Sequence, residues 1–221
     1  MAPVVSGTVT VNRLEIPAEA RDSFRAACSS VIKKELSDAQ RDLNRAVQSL
    51  TRFSAAWVLL GQIQRDDKEI ELAQQSCMEA HKVDPTYIPA YLCLADLAAL
   101  QENWTRTAEL TRQVIELHPV RAPGAYYLNA LASFYIGQMP QAEENALEAL
   151  KEGGSEQKAP LHWLLAKIYE AKGDRFEEAA QLREYLKLAP HAPGAPLARK
   201  ILQEIKSERT TPASTTNKPP G

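Results

Sequence analysis

Apolar residues recur three and four positions apart along most of the chain between residues 20 and 206, and the alternation of β-branched residues that marks strands is scarce. That pattern predicts amphipathic helices. The helices come in pairs with short turns. Gly173 followed by Asp174 has the turn chemistry of a helix end, and Asp174 with Glu177 three residues later has the spacing of a capping box for the next helix. Ser37 with Gln40, and Asp66 with Glu69, repeat the same spacing. At Gly137 the chain stops again, and Pro140 stands where a first-turn proline is tolerated because its missing N–H has no intrahelical partner.

The pairs repeat. Thr51, Pro85, Pro119, Gly154 and Pro190 close successive segments at steps of 34, 34, 35 and 36 residues. The same steps link a mostly aromatic column, Ser23, Trp57, Tyr91, Tyr126 and His162, and a column of tiny residues, Ala27, Gly61, Ala95, Ala130 and Ala166. A third column, Ala46, Ala80, Val114, Ala149 and Tyr185, lies late in each unit. Small residues at the contact let two helices approach to about 8–10 Å, while the rings fill the wider gap beside them. One hairpin leaves an apolar face wet, and stacking buries it. The expected organisation is an extended N-terminal segment (1–19), repeats at 20–53, 54–87, 88–121, 122–157 and 158–192, a capping helix at 196–206 and a disordered tail at 207–221.

The residues that carry these columns resemble the tetratricopeptide-repeat (TPR) family. AAWVLLG from Ala55 to Gly61, followed by Ala73, Ala80 and Pro85, fits that pattern without a gap. Similar matches run through Tyr91, Leu94, Ala95 and Pro119, then Tyr126, Ala130, Ala142 and Ala149, then Leu165, Ala166, Tyr169, Gly173 and Pro190. The first unit departs, with Ser23 in the aromatic column, and in the last unit Ala179 comes one residue late. The resemblance implies an all-α, right-handed superhelical solenoid of antiparallel helix pairs, with about five repeats and a C-terminal capping helix. PAYLCLAD near Pro89, AAQLREYLKLAP from Ala179 and the leading VTVNRLEIP are also similar to bacterial TPR proteins that often carry export signals.

Composition narrows the function. Twenty-six Lys and Arg against 28 Asp and Glu give a net charge of −2, so no basic field is available to hold nucleic acid or anionic lipid. No stretch reaches the roughly 18 apolar residues of a membrane span, and the longest, Tyr87 to Leu100, contains Asp96. Met1 to Thr10 lacks a secretion signal, which places the sequence as written in the cytoplasm; a mature or shortened chain would instead belong to the periplasm or envelope. Three cysteines, Cys28, Cys77 and Cys93, are an odd number without CxxC spacing, an argument against a disulfide framework and against a zinc site. His81, His118, His162 and His191 have no metal-ligand spacing, and no GxSxG, GxGxxG or phosphate-binding loop occurs. The expectation is a protein with no enzymatic activity, metal or cofactor.

What remains is surface recognition. The resemblance implies that the first helix of each pair lines a concave face that takes an extended peptide or a partner helix. In this register the groove residues are Phe24, Val58, Gln62, Leu92, Asp96, Tyr127, Leu131, Phe134, Trp163 and Lys167. The Lys, Asn and Arg set of the family's carboxylate clamp is missing from them, so the expected ligand is an apolar peptide segment or partner helix of another protein. The N-terminal segment is a competing occupant of this stripe. The rival function is a structural one, in which the stack forms a homo-oligomer or acts as a spacer in a bacterial envelope or secretion assembly.

Overall fold

In the computed structural model, residues 16–117, 123–152 and 154–210 are described. Among them every regular element is helical, and they divide into two compact units, Met1–Asn103 and Trp104–Gly221. Residues 1–15 of the extended segment expected at 1–19, and Pro119 of the segment-closing series, fall outside the described residues, while Ala18 and Glu19 already belong to the first helix.

Unit 1 holds α1 (Ala18–Lys33), α2 (Leu36–Ser49), α3 (Ser54–Asp66), α4 (Ile70–Val83) and α5 (Ile88–Leu100). Unit 2 holds α6 (Trp104–Leu117), α7 (Pro123–Tyr135), α8 (Met139–Glu152), α9 (Ser155–Lys172), α10 (Arg175–Leu188) and α11 (Ala195–Thr210). The column of tiny residues is buried at every member, and Ala46, Ala80, Val114 and Ala149 are fully enclosed. Two members of the aromatic column anchor their polar tips alike, whereas His162 Nδ1 lies 2.7 Å from Gln181 Oε1. Trp57 Nε1 donates to the Thr51 carbonyl at 2.8 Å and Tyr91 Oη to the Pro85 carbonyl at 2.9 Å, each reaching back six residues to the loop before its own helix.

A further column emerges from the backbone. Lys34, Lys68, Glu102, Gly137 and Gly173 all have φ between 56° and 79°, the left-handed conformation. At each of them the same two hydrogen bonds close the preceding helix. Lys34 N–H donates to the Val31 carbonyl and Glu35 N–H to that of Ser30; the corresponding pairs follow at Lys68 and Glu69, Glu102 and Asn103, Gly137 and Gln138, and Gly173 and Asp174. This is the Schellman motif, repeated five times at the spacing of the side-chain columns. Glycine adopts the conformation freely at Gly137 and Gly173, whereas lysine and glutamate do so against steric resistance.

The motif corrects two sequence expectations. At Asp174 the N-cap half of the expected box forms, with Oδ1 accepting from the Phe176 and Glu177 N–H groups, while the Asp174 N–H donates to the Tyr169 carbonyl. The boxes at Ser37 and Asp66 do not form. The turn at Lys34 makes Glu35 the residue before α2, so Ser37 already lies inside the helix; Asp66 is the last residue of α3, and Glu69 precedes α4.

Other differences are local. Gly154 adopts an extended conformation and α9 begins at Ser155, which brings Pro160 inside the helix. Helix α11 continues to Thr210, so Ser207–Thr210 belong to it rather than to a tail; Arg175 pairs with Glu208 at 3.2 Å along that extra turn. The late Ala179 leaves Glu178 at the position that Ala39, Ala73 and Ala142 hold, each donating its backbone N–H to the residue before the helix. Glu178 is 1% exposed, and its buried carboxylate accepts from Arg175 at 2.9 Å.

The cysteines overturn the expectation of no disulfide. Cys77 on α4 and Cys93 on α5 are joined, with Cα atoms 5.9 Å apart, a separation suited to the bond. An odd count had hidden one intramolecular pair, and only Cys28 is free. Gly61 makes the room. A Cβ there would lie 2.6 Å from Cys77 Sγ and 3.1 Å from the Ala73 carbonyl oxygen, so this member of the tiny column has no side chain while the others carry alanine.

Unit 2 replaces apolar contact by a buried polar network at the equivalent layer. Asn129, where Leu60, Leu94 and Leu165 stand in the other repeats, donates to Thr111 Oγ1 at 2.8 Å and to the Ala108 carbonyl at 3.1 Å. Its Oδ1 accepts from Asn145 Nδ2 at 2.6 Å and from the Ser133 hydroxyl at 3.2 Å. The network ties α6, α7 and α8 together with its donors and acceptors matched, which is what makes a buried amide tolerable.

Candidate functional site

The ten groove residues expected from the sequence separate by unit. In unit 1, Phe24 packs on Phe53 with ring centroids 4.9 Å apart. Val58 is 5% exposed and belongs to the core shared by α3, α4 and α5, so it offers no surface. Gln62 and Leu92 are half-buried on α3 and α5. Asp96 on α5 accepts from Arg65 of α3 at 3.2 Å, and Arg65 is held also by Asp66 at 2.8 Å. Burial lifts the Asp96 carboxyl above its ordinary value, and the Arg65 charge pulls it back in part. The positions expected to receive a ligand here are largely used by the unit itself.

In unit 2 the corresponding positions converge. Tyr127, Leu131 and Phe134 of α7 face Trp163 and Lys167 of α9 across an open cleft of about 560 Å³. The helical register explains the meeting, because residues four apart share a face: Tyr127 and Leu131 form one pair and Trp163 and Lys167 the other. The cleft is completed by residues that the register did not nominate. Tyr135 ends α7, Pro160 and Leu164 lie on α9, and Tyr185 with Ala189, Ala192 and Gly194 supplies the wall after α10. Their signal is tertiary. Tyr185 is a large member of an otherwise small column, and its ring sits 5.1 Å from that of Trp163. Gly194 allows that packing, since a Cβ there would lie 2.7 Å from Tyr185 Oη.

The cleft is apolar, aromatic and open. Tyr135 is 56% exposed, stacks on Trp104 at 4.2 Å and meets Phe134 edge-on at 5.5 Å. The Lys167 ammonium lies 5.6 Å from the centre of the Trp163 ring and 2.7 Å from a Glu170 carboxylate oxygen. Burial raises the Tyr127 hydroxyl above the ordinary tyrosine value, with Tyr135 adding in the same direction. A ligand seated here would therefore meet Tyr127 as a neutral donor.

One turn beyond Lys167, outside this lining, the end of α9 is braced against α8. Tyr169 Oη donates to Glu143 at 2.8 Å, and Lys172 pairs with the same carboxylate. The Lys172 hydrogen bond holds the Glu143 carboxyl below its usual range against the opposing effect of burial, and Tyr169 is raised by burial and by its bond to Glu143. Among the described residues no group of histidine, cysteine, aspartate and glutamate side chains is arranged to hold a metal, and no helix is long and apolar enough to cross a membrane.

No family model and no curated protein matches the sequence. Solved structures do match. The Pseudomonas aeruginosa protein pilF is similar to this chain at a TM-score of 0.71 and 18% identity, with 87% of this chain and 83% of that one covered. YrrB, a TPR protein with an unusual peptide-binding site, is similar at 0.66 and 15%, covering 86% and 97%. TTC0263, a thermophilic TPR protein of Thermus thermophilus, gives 0.62 and 17%, covering 83% and 99%. With paired helices, a backbone turn motif that recurs at every repeat, and these matches along most of its length, the chain has the fold of the tetratricopeptide-repeat proteins.

Proposed function

We propose that the protein is a non-enzymatic scaffold that binds another protein by holding an apolar segment of it in the cleft of unit 2. The observation that carries this reading is the grouping of Tyr127, Leu131, Phe134 and Trp163 around one open, ring-lined recess. Aromatic residues at the centre of a concave apolar surface are the usual anchors of binding energy, since each buries a large area with few torsions to freeze. The peptide-binding site of the structurally similar YrrB lends support from the fold. The half-buried positions of unit 1, Phe24, Gln62, Leu92 and Asp96, fit a subsidiary role, because their side chains are already partnered or partly covered.

The test is a comparison of wild type with the Tyr127→Ala, Trp163→Ala double variant as baits in source-cell lysate, followed by affinity measurement on each captured protein. Loss of about 2 kcal/mol or more per anchor is expected, roughly 30-fold in affinity, with the helical circular-dichroism melt unchanged. Identical captures by the two baits contradict the reading. So does light scattering that finds a stable homo-oligomer with the cleft covered.

A further inference from the structure

Every polar side chain of the unit 2 cleft carries a hydrogen-bond donor, and its only side-chain acceptors are three tyrosine hydroxyl oxygens. Its side-chain polar groups are the Trp163 indole N–H, the Tyr127, Tyr135 and Tyr185 hydroxyls and the Lys167 ammonium; no carboxylate, carboxamide or serine lines it. Lys167 is satisfied by Glu170. The Trp163 N–H has no acceptor among the described residues, and the three hydroxyls likewise have no hydrogen-bond partner there. Its walls are helices and the 189–194 connection, so the cleft presents no strand edge.

We propose that the segment this cleft accepts is a proline-rich stretch of a partner protein in the polyproline II conformation; the inference rests on the binding role proposed above for the same cleft. The argument is complementarity of charge sign. A polyproline II segment has no internal hydrogen bonds, so its carbonyl oxygens point outward as acceptors, and a proline has no N–H to leave unmatched. The donor-rich, acceptor-poor wall is its counterpart. A helix spends its carbonyls internally and would strand the Trp163 N–H and the hydroxyls away from water. A β-strand brings an N–H at alternate positions to a wall whose only side-chain acceptors are three hydroxyl oxygens, weaker partners than a carboxylate or carboxamide. Ring faces carry negative charge density and meet the weakly positive C–H groups of proline favourably, and Tyr127, Phe134, Tyr135 and Trp163 supply such rings, with the buried Tyr185 behind Trp163.

The experiment is calorimetric titration of the full chain with three peptides: decaproline, a Leu and Lys amphipathic helix, and an alternating Val and Thr strand former. Decaproline is expected to bind about tenfold or more tightly than either rival. Trp163→Ala should weaken it by about 30-fold, and Trp163→Phe, which keeps a ring and removes the N–H, by about five- to tenfold. An unchanged thermal melt for Trp163→Phe keeps the result independent of folding. Tighter, Trp163-dependent binding of the helical or strand peptide overturns the polyproline assignment and leaves the cleft as a binding site. Decaproline binding undiminished in Trp163→Phe also overturns it, because the donor match is then irrelevant. If none of the three peptides binds, or Trp163→Ala binds them as wild type does, the polyproline assignment and the binding role of the cleft fall together.

Discussion

At the positions that follow the aromatic column, unit 1 closes on itself and unit 2 stays open. Phe24 lies on Phe53, Val58 is in the core, and Asp96 is tied to Arg65. Tyr127 and Trp163, the same positions in later repeats, stand around a cleft with Leu131 and Lys167 one turn on. Backbone architecture does not make this difference, because the first helix of each pair in both units ends in the same Schellman turn at the same spacing. Side-chain size and pairing at a fixed register make it. A TPR-like backbone supplies places, and the residues at those places decide whether a surface is available.

The interiors differ in the same manner, which suggests the sharpest test. Asn129→Leu places at this position the residue found at Leu60, Leu94 and Leu165, but it strands Asn145 Nδ2 and the Ser133 hydroxyl, while Thr111 keeps its bond to the Thr107 carbonyl. A loss of about 3 kcal/mol is expected, measured by urea denaturation. A gain in stability would mean that the polar layer of unit 2 is dispensable and that the two interiors are interchangeable.

Unit 1 has its own unusual layer at Gly61. Gly61→Ala places a carbon against Cys77 Sγ and the Ala73 carbonyl, and overpacking of that kind costs about 1–3 kcal/mol. In a Cys77→Ala, Cys93→Ala background the cost should shrink, because the first obstacle is gone. A full penalty in both backgrounds would assign the glycine to helix approach alone.

Turns offer the next contrast, since unit 1 uses Lys34, Lys68 and Glu102 where unit 2 uses glycine. Lys68→Gly is expected to raise stability by about 1 kcal/mol, and Gly173→Ala to lower it by a similar amount. Thermal melts of the two variants moving in the same direction would contradict the shared turn geometry.

The smallest effect concerns acid. Glu143 has a lowered carboxyl pKa in the folded protein, so its contribution is present above the unfolded glutamate value and is lost as pH falls through the folded one. Because the pair with Lys172 is partly exposed, Glu143→Gln should flatten the acid side of the stability profile only slightly. A stability profile from about pH 7 to 3 that steepens in the variant would show that this brace works differently.

Much of the fold was legible because size recurs with one period: Trp57, Tyr91 and Tyr126 beside Gly61, Ala95 and Ala130. The left-handed column was only partly visible, since Gly137 and Gly173 announce the conformation and Lys34, Lys68 and Glu102 do not. Ser37 and Asp66 misled for a related reason: their spacing imitates a cap at places where the turn motif, a few residues away, sets the helix ends. The facing walls from α7 and α9 could be named from register, as Tyr127, Leu131, Phe134, Trp163 and Lys167 show. The wall beyond them could not: the period locates Tyr185 but not its packing on Trp163, and Ala189, Ala192 and Gly194 reach the cleft through the connection from α10 to α11, which no repeat period encodes.

Gly194 carries a consequence of its own. Its backbone lies so near the Tyr185 hydroxyl and the Trp163 ring that any larger residue must push them, and the first atom struck is the tip of a pivoting side chain. A methyl group at this point would tilt the tyrosine and narrow the receptacle while leaving the helices behind it where they are. The aperture is thus adjustable by one carbon.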